Sequence, residues 1–177
     1  QRTEAELPDH YPIYLRVQDP RVLPELHRVL ADDPQADRYW ALGVQWLYLD
    51  RAQQLQSMRL PAGPSPNAFV PPLLLQQAQA DALLAAAEVD RVMPELVREA
   101  PDAFMALTPA QRLASTRRSL SLADELKLST HADRVTLAIL ALSLGPAFVE
   151  QTPWPEVLAQ VKAGRMSLKQ AIQKALQ

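Results

Sequence analysis

The chain contains no cysteine among its 177 residues. This absence excludes a thiol nucleophile, a thiolate metal site and a disulfide framework. Glycine is also scarce, with 4 residues against 16 prolines. Sandwiches and barrels need glycine in their tight turns, whereas proline commonly marks the ends of helices. The composition therefore favours a helical protein.

Long hydrophobic runs are absent as well. The longest strongly apolar run, 135–144, is far shorter than the roughly 18 to 20 residues that cross a bilayer. We therefore expect no membrane span and a cytoplasmic protein. The chain begins at Gln1 rather than at methionine, so a removed upstream segment and a periplasmic location stay open as an alternative.

Recognisable reaction chemistry is also missing. The histidines, His10, His27 and His131, are far apart and show none of the spacings of a metal site. No glycine-rich phosphate loop or nucleophile elbow occurs. The acidic pairs at 32–33 and 124–125 would diverge by about 100° on a helix and would not converge on one substrate atom. We therefore predict a protein with no catalytic residue, no cofactor and no metal; a helical hydrolase that uses isolated carboxylates is the alternative from another class.

The charge distribution favours neither nucleic acid nor membrane as a partner. The net charge is only −2, but it is uneven, because 111–177 carry nine basic against five acidic residues. These basic residues either form a solvated face or orient an acidic partner protein. Arg117 and Arg118 are the strongest candidates for such an anion contact.

The first 60 residues predict an extended arm followed by helices. Prolines and alternating apolar residues over 1–19 indicate an arm with one packed face, which includes Tyr11 and Ile13. Two Asp-Pro pairs, at 19–20 and 33–34, predict helix starts, the second opening a long helix to about Arg59. A proline-rich connector over 59–72 follows.

The remainder predicts further helices, because start and stop signals recur. Helices are expected from about 73 to 90, with Pro94 kinking its continuation or opening a short new helix, and after Thr108, Thr130, Thr152 and Ser167. Stops are expected at Gly145 and near Gly164. The fold class predicted is all-α: a single bundle-like domain of seven or eight helices over 20–177, with the apolar helix 135–144 enclosed at the centre of the C-terminal half.

The stretch 122–154 poses a choice between a DNA-reading helix-turn-helix and two packed helices. The usual turn glycine is replaced by Lys127, and Asp133 falls where the second helix needs its first apolar anchor. The second helix is then apolar on nearly every side, which leaves little polar surface for bases. We interpret the stretch as two packed helices and keep DNA binding as an alternative.

Residues 119–155 resemble the helical C-terminal part of adaptor or chaperone proteins encoded beside bacterial type VI secretion effectors. The similarity lies in the order of elements: a polar helix, a short Ser/Thr start, an Ala/Leu-rich helix, the motif Gly145-Pro146-Ala147-Phe148, and then Trp154 between two prolines. The resemblance implies a non-catalytic protein that binds an effector or a spike component.

Together these features predict a non-enzymatic protein-binding module, namely an adaptor, chaperone or accessory subunit for a secreted effector. An immunity protein that inhibits a toxin is the alternative within the same class. The predicted partner is another protein, and the oligomeric state stays open. Candidate partner-binding residues are Tyr11, Ile13 and Tyr14 in the arm, Arg117 and Arg118, and Trp154. The indole ring of Trp154 and the arm could instead pack inside the domain.

Overall fold

The computed structural model describes residues 2–41, 45–60 and 69–176. Within them the chain forms eight α-helices, one short 3-10 helix and five short strands. The protein is thus mostly helical, as expected, but the prediction of a purely all-α fold was wrong, because two small sheets occur. The chain divides into two compact units, Gln1–Glu88 and Val89–Gln177, a boundary that the sequence pattern did not locate.

The N-terminal unit contains all five strands and two short helices. They are β1 (Glu4–Glu6), β2 (Pro12–Tyr14), α1 (Leu23–Val29), α2 (Ala36–Tyr39), β3 (Gln45–Leu49), β4 (Leu55–Arg59) and β5 (Leu73–Leu74). Helix α3 (Gln77–Glu99) follows and passes through Pro94 without a break. The helix predicted from 73 therefore begins four residues late, because 73–74 pair with β1 as a strand.

The arm predicted over 1–19 is extended, and it folds back as a hairpin. Strand β1 pairs antiparallel with β2 and parallel with β5, so β1 is central in a three-stranded sheet. The apolar side chains Ala5, Leu15 and Val17 are buried in the same core as Leu23 of α1. The packed face of the arm thus belongs to its own unit.

The prediction of a long helix from Asp33–Pro34 to about Arg59 was wrong. After α2, strands β3 and β4 form an antiparallel hairpin. Their inward side chains include Trp46, Tyr48 and Met58, which follow the period of two that a strand requires. Apolar residues at 40, 44, 47, 48, 55 and 58 also match a helical stripe, so the pattern fitted both periods. Most of the connector predicted for 59–72 lies outside the described residues.

Two buried polar groups stabilise the N-terminal unit. The Asp33 carboxylate accepts hydrogen bonds from the Gln35 backbone at 2.8 Å and from the Gln79 side chain at 2.7 Å, which ties the start of α2 to α3. The Tyr39 hydroxyl donates to the Arg2 carbonyl oxygen at 2.7 Å. Burial raises the pKa of Tyr39 well above its ordinary value, since its charged form would lose hydration.

The C-terminal unit is helical throughout its described part. It contains α4 (Pro101–Met105), α5 (Pro109–Glu125), α6 (His131–Leu144), the 3-10 helix (Phe148–Glu150), α7 (Trp154–Lys162) and α8 (Leu168–Ala175). Complete capping boxes open α5 at Thr108 and α8 at Ser167, and the Thr130 side chain caps α6. These three starts confirm the predictions from local sequence.

Helices α5 and α6 pack against each other across a tight turn. The Lys127 backbone, with φ 59°, is left-handed at the position where a glycine is usual. Hydrogen bonds from the amides of Lys127 and Leu128 to carbonyls of α5, at 3.0 and 2.9 Å, close a Schellman motif. The next helix, α6, supplies Leu137 to one apolar cluster of the unit and Ala138 to another. It is enclosed in the C-terminal unit, as its apolar sequence predicts.

None of the helices in the described residues is both long enough and apolar enough to cross a membrane.

Candidate protein-binding surfaces

Two exposed tyrosines lie at the edge strand β2, Tyr11 immediately before it and Tyr14 at its end. Tyr11 is 64% and Tyr14 67% exposed, whereas Ile13 is half-buried against the N-terminal core. Alternation along the strand places Ile13 on the opposite side from Tyr14. Tyr11 precedes β2 and is exposed, although the sequence pattern put it on the packed face with Ile13. Of the three predicted arm residues, the two tyrosines are available to a partner and Ile13 packs inside its own unit.

Arg117 and Arg118 lie exposed on α5, in the other unit. The Arg118 side chain borders a depression of about 20 Å³, whose other walls include Leu122 and Phe148. A depression of this size holds no more than a water molecule. The predicted arginine pair is thus exposed on the surface of α5.

Trp154 is buried at the start of α7. This burial corrects the prediction that its ring is exposed and contacts a partner. Its ring meets the Phe148 ring edge to face, with centroids 5.2 Å apart, and both rings belong to the same core cluster. Such aromatic pairs stabilise a core beyond their buried area. The structure thus shows the other interpretation of this residue, a core side chain.

The outer face of the β3–β4 hairpin presents a second apolar surface, which the sequence analysis missed. Leu47 is 60%, Leu49 56% and Leu55 71% exposed. Leu49 and Leu55 are cross-strand partners, and Leu47 lies two residues from Leu49 on the same side of β3. The three side chains therefore form one continuous patch, which we name the leucine face. Its signal in the sequence was the Asp-Arg-Ala-Gln turn at 50–53, which divides the segment into two strands.

The turn of the hairpin is held by hydrogen bonds. The Asp50 carboxylate accepts from the backbones of Ala52 and Gln54 at 2.8 and 2.9 Å and from the Gln56 side chain at 2.8 Å. These donors lower the pKa of Asp50 below its ordinary value, because they stabilise the charged carboxylate. The leucines are therefore presented on an ordered strand pair.

The hairpin also offers unpaired backbone groups. Since β3 and β4 pair only with each other in the described sheets, each strand has one edge with no partner strand there. Edge strands of this kind accept an additional strand from another protein. The hairpin thus combines exposed leucines on one face with strand edges that have no partner strand in the described sheets.

The groups considered for chemistry are scattered through the molecule. The His10 imidazole is hydrogen-bonded to the Glu6 carboxylate, and His27 packs against the Trp40 ring. Asp33 is engaged in the buried network with Gln79. Within 2–41, 45–60 and 69–176, no three histidine or acidic side chains are grouped to hold a metal ion. No family model, curated protein or solved structure matches the chain.

Proposed function

We propose that this chain is a non-enzymatic protein-binding module and that the leucine face of the hairpin is its main contact surface. The observation that carries the proposal is the adjacent exposure of Leu47, Leu49 and Leu55 on an ordered strand pair. Contiguous apolar patches on a protein surface commonly mark interaction sites, whereas single exposed leucines do not. The partner would supply apolar side chains to cover this face.

The energetics support a specific contact. Fully burying one leucine is worth about 1.5–3 kcal/mol, so completing the burial of a side chain already half covered contributes about 1 kcal/mol. Leu49 and Leu55 together would then contribute about 2 kcal/mol, which corresponds to roughly 30-fold in affinity. Backbone pairing along an open edge would fix the orientation of the bound segment.

The resemblance of 119–155 to adaptors of type VI secretion effectors makes the proposal more specific. In that form, the partner is a secreted effector or a spike component, and the protein delivers the effector without altering its activity. The exposed Tyr11 and Tyr14 and the arginine pair of α5 would add peripheral contacts, since tyrosine and arginine are enriched at interfaces. Trp154, being buried, has no part in the proposed contact.

The experiment is a pull-down with the tagged chain from the producing bacterium, followed by identification of the bound protein and measurement of its affinity. The test variant is Leu49→Thr combined with Leu55→Thr, because threonine retains the preference for a strand while removing the apolar surface. We expect about 30-fold weaker binding. The matched control is Leu84→Gln, an exposed leucine on α3 of the same unit, which should leave the affinity unchanged.

The activity of the captured protein separates the two binding roles. An adaptor leaves it intact, whereas an immunity protein abolishes it. The proposed surface is refuted if the folded double variant binds the partner as tightly as the unmodified chain does.

A further inference from the structure

A cavity of about 350 Å³ lies in the N-terminal unit, away from the residues of the leucine face. Helices α1 and α2 and the end of β4 line it. Leu30, Leu60 and the buried Trp40 provide apolar wall, and His27, Asp37 and Arg59 provide polar groups. Ligand sites typically combine an apolar wall with a few polar groups that fix orientation, at volumes from about 300 Å³ upwards.

The polar groups of this cavity have no partners among the described residues. The Asp37 carboxylate and the Arg59 guanidinium carry opposite charges and both line the cavity, yet they form no ion pair with each other or with another described side chain. The His27 imidazole has a ring contact with Trp40 and no hydrogen bond there. The indole nitrogen of Trp40, within the wall, is buried without an acceptor.

Some charged groups of this unit are paired with one another. Asp19 is paired with Arg21 at 2.6 Å, and Arg28 with Glu25 at 3.0 Å. Asp37 and Arg59 are exposed, and they differ from other charges that are unpaired in the described part of the unit, such as Asp32 and Arg38, in lining one cavity together. Their charges are complementary to a ligand that itself carries one positive and one negative group.

We propose that the cavity binds a small zwitterion with an apolar side chain, of the chemical class of free α-amino acids. Arg59 binds the ligand carboxylate, because a guanidinium matches the two oxygens of a carboxylate. Asp37 accepts from the ligand ammonium group, and the apolar side chain lies against Leu30, Leu60 and the Trp40 ring. This inference is independent of the proposed protein-binding function, because the ligand would occupy the cavity in the isolated chain.

The experiment is isothermal titration of the purified full chain with L-phenylalanine and L-leucine, repeated with L-phenylalaninamide and N-acetyl-L-phenylalanine. The amide lacks the carboxylate, and the acetylated compound lacks the ammonium. We expect saturable binding of the free amino acids and at least about tenfold weaker binding of each derivative, because each loses one charge-assisted contact.

Variants assign each contact to its residue. Arg59→Gln should weaken L-phenylalanine binding at least about tenfold but leave binding of the amide unchanged. Asp37→Asn should also weaken L-phenylalanine binding at least about tenfold, but leave binding of the acetylated compound unchanged. The matched controls are Arg38→Gln and Asp32→Asn, two exposed charges of the same region that do not line the cavity. Both control variants should bind L-phenylalanine as tightly as the unmodified chain does.

Two results would overturn the proposal. One is the absence of saturable heat at millimolar concentrations of either amino acid, with thermal unfolding unshifted in the same mixtures. The other is binding that Arg59→Gln and Asp37→Asn leave unaltered in variants whose circular dichroism matches the original. Neither result affects the pull-down that tests the leucine face, so the two proposals fail separately.

Discussion

Replacement of Lys127 with glycine should stabilise the C-terminal unit, although it removes a whole side chain. Lys127 is exposed and holds a left-handed backbone, with φ 59°, in the turn between α5 and α6. This conformation costs a residue with a Cβ about 1–2 kcal/mol, and glycine adopts it without that penalty. Glycine loses about 0.5–1 kcal/mol more conformational entropy on folding. The expected net gain is about 0.5–1 kcal/mol.

The end of α7 provides the reverse experiment in the same motif. Gly164 has φ 69°, and hydrogen bonds from its amide and that of Arg165, at 2.8 and 2.9 Å, reproduce the pattern at Lys127. A Cβ added at Gly164 would meet no atom within 4 Å. Gly164→Ala should therefore destabilise the unit by about 1 kcal/mol through backbone strain alone.

Urea unfolding followed by far-UV circular dichroism measures both changes, provided that the slope with denaturant is the same for each variant. Lys127→Ala serves as the control for the side chain, because it keeps the Cβ and should leave stability within a few tenths of a kcal/mol. If backbone strain is the cause, Lys127→Gly must raise the free energy of unfolding and Gly164→Ala must lower it. A Lys127→Gly variant that is less stable than the original would refute the strain argument.

Two further substitutions test buried contacts. Tyr39→Phe should lower stability near neutral pH by about 1 kcal/mol, because the hydrogen bond to the Arg2 carbonyl is lost. Since burial raises the pKa of Tyr39, the unfolded chain ionises first above about pH 10, so stability falls as pH rises beyond that value. Tyr39→Phe should reduce this loss of stability with pH in urea titrations, and an unchanged pH dependence would count against the assignment. Arg112→Lys should destabilise the protein by about 1 kcal/mol in thermal melts, because a lysine cannot make both guanidinium bonds, 3.0 and 2.9 Å, to the carbonyls ending α4. Equal melting of Arg112→Lys and the exposed control Arg118→Lys would contradict it.

The exposed tyrosines illustrate how far the candidate site could be predicted. Alternation in the arm predicted one packed face that includes Tyr11 and Ile13; Ile13 does pack against the core, but Tyr11 is exposed, as Tyr14 is. The pattern could not distinguish a strand that packs on its own unit from one that binds a partner. The cavity around Trp40 was not predictable, because its lining comes from three separate elements.

The sequence by itself determined where helices α5, α6 and α8 begin. The caps at Thr108, Thr130 and Ser167 depend on hydrogen bonds that reach three residues along the chain, so a short stretch contains all the information. The scarcity of glycine and the regular prolines likewise indicated a mostly helical protein.

Only the tertiary structure decided whether a segment is a helix or a strand and whether an apolar side chain lies in the core or on the surface. Residues 45–59 suit a helix or a hairpin equally, and the pairing of β3 with β4 and the burial of Met58 select the hairpin. Trp154 suits a core or an interface, and its contact with the Phe148 ring places it in the core. The physical reason is that burial and strand pairing depend on residues distant in the chain, whose positions no local pattern specifies.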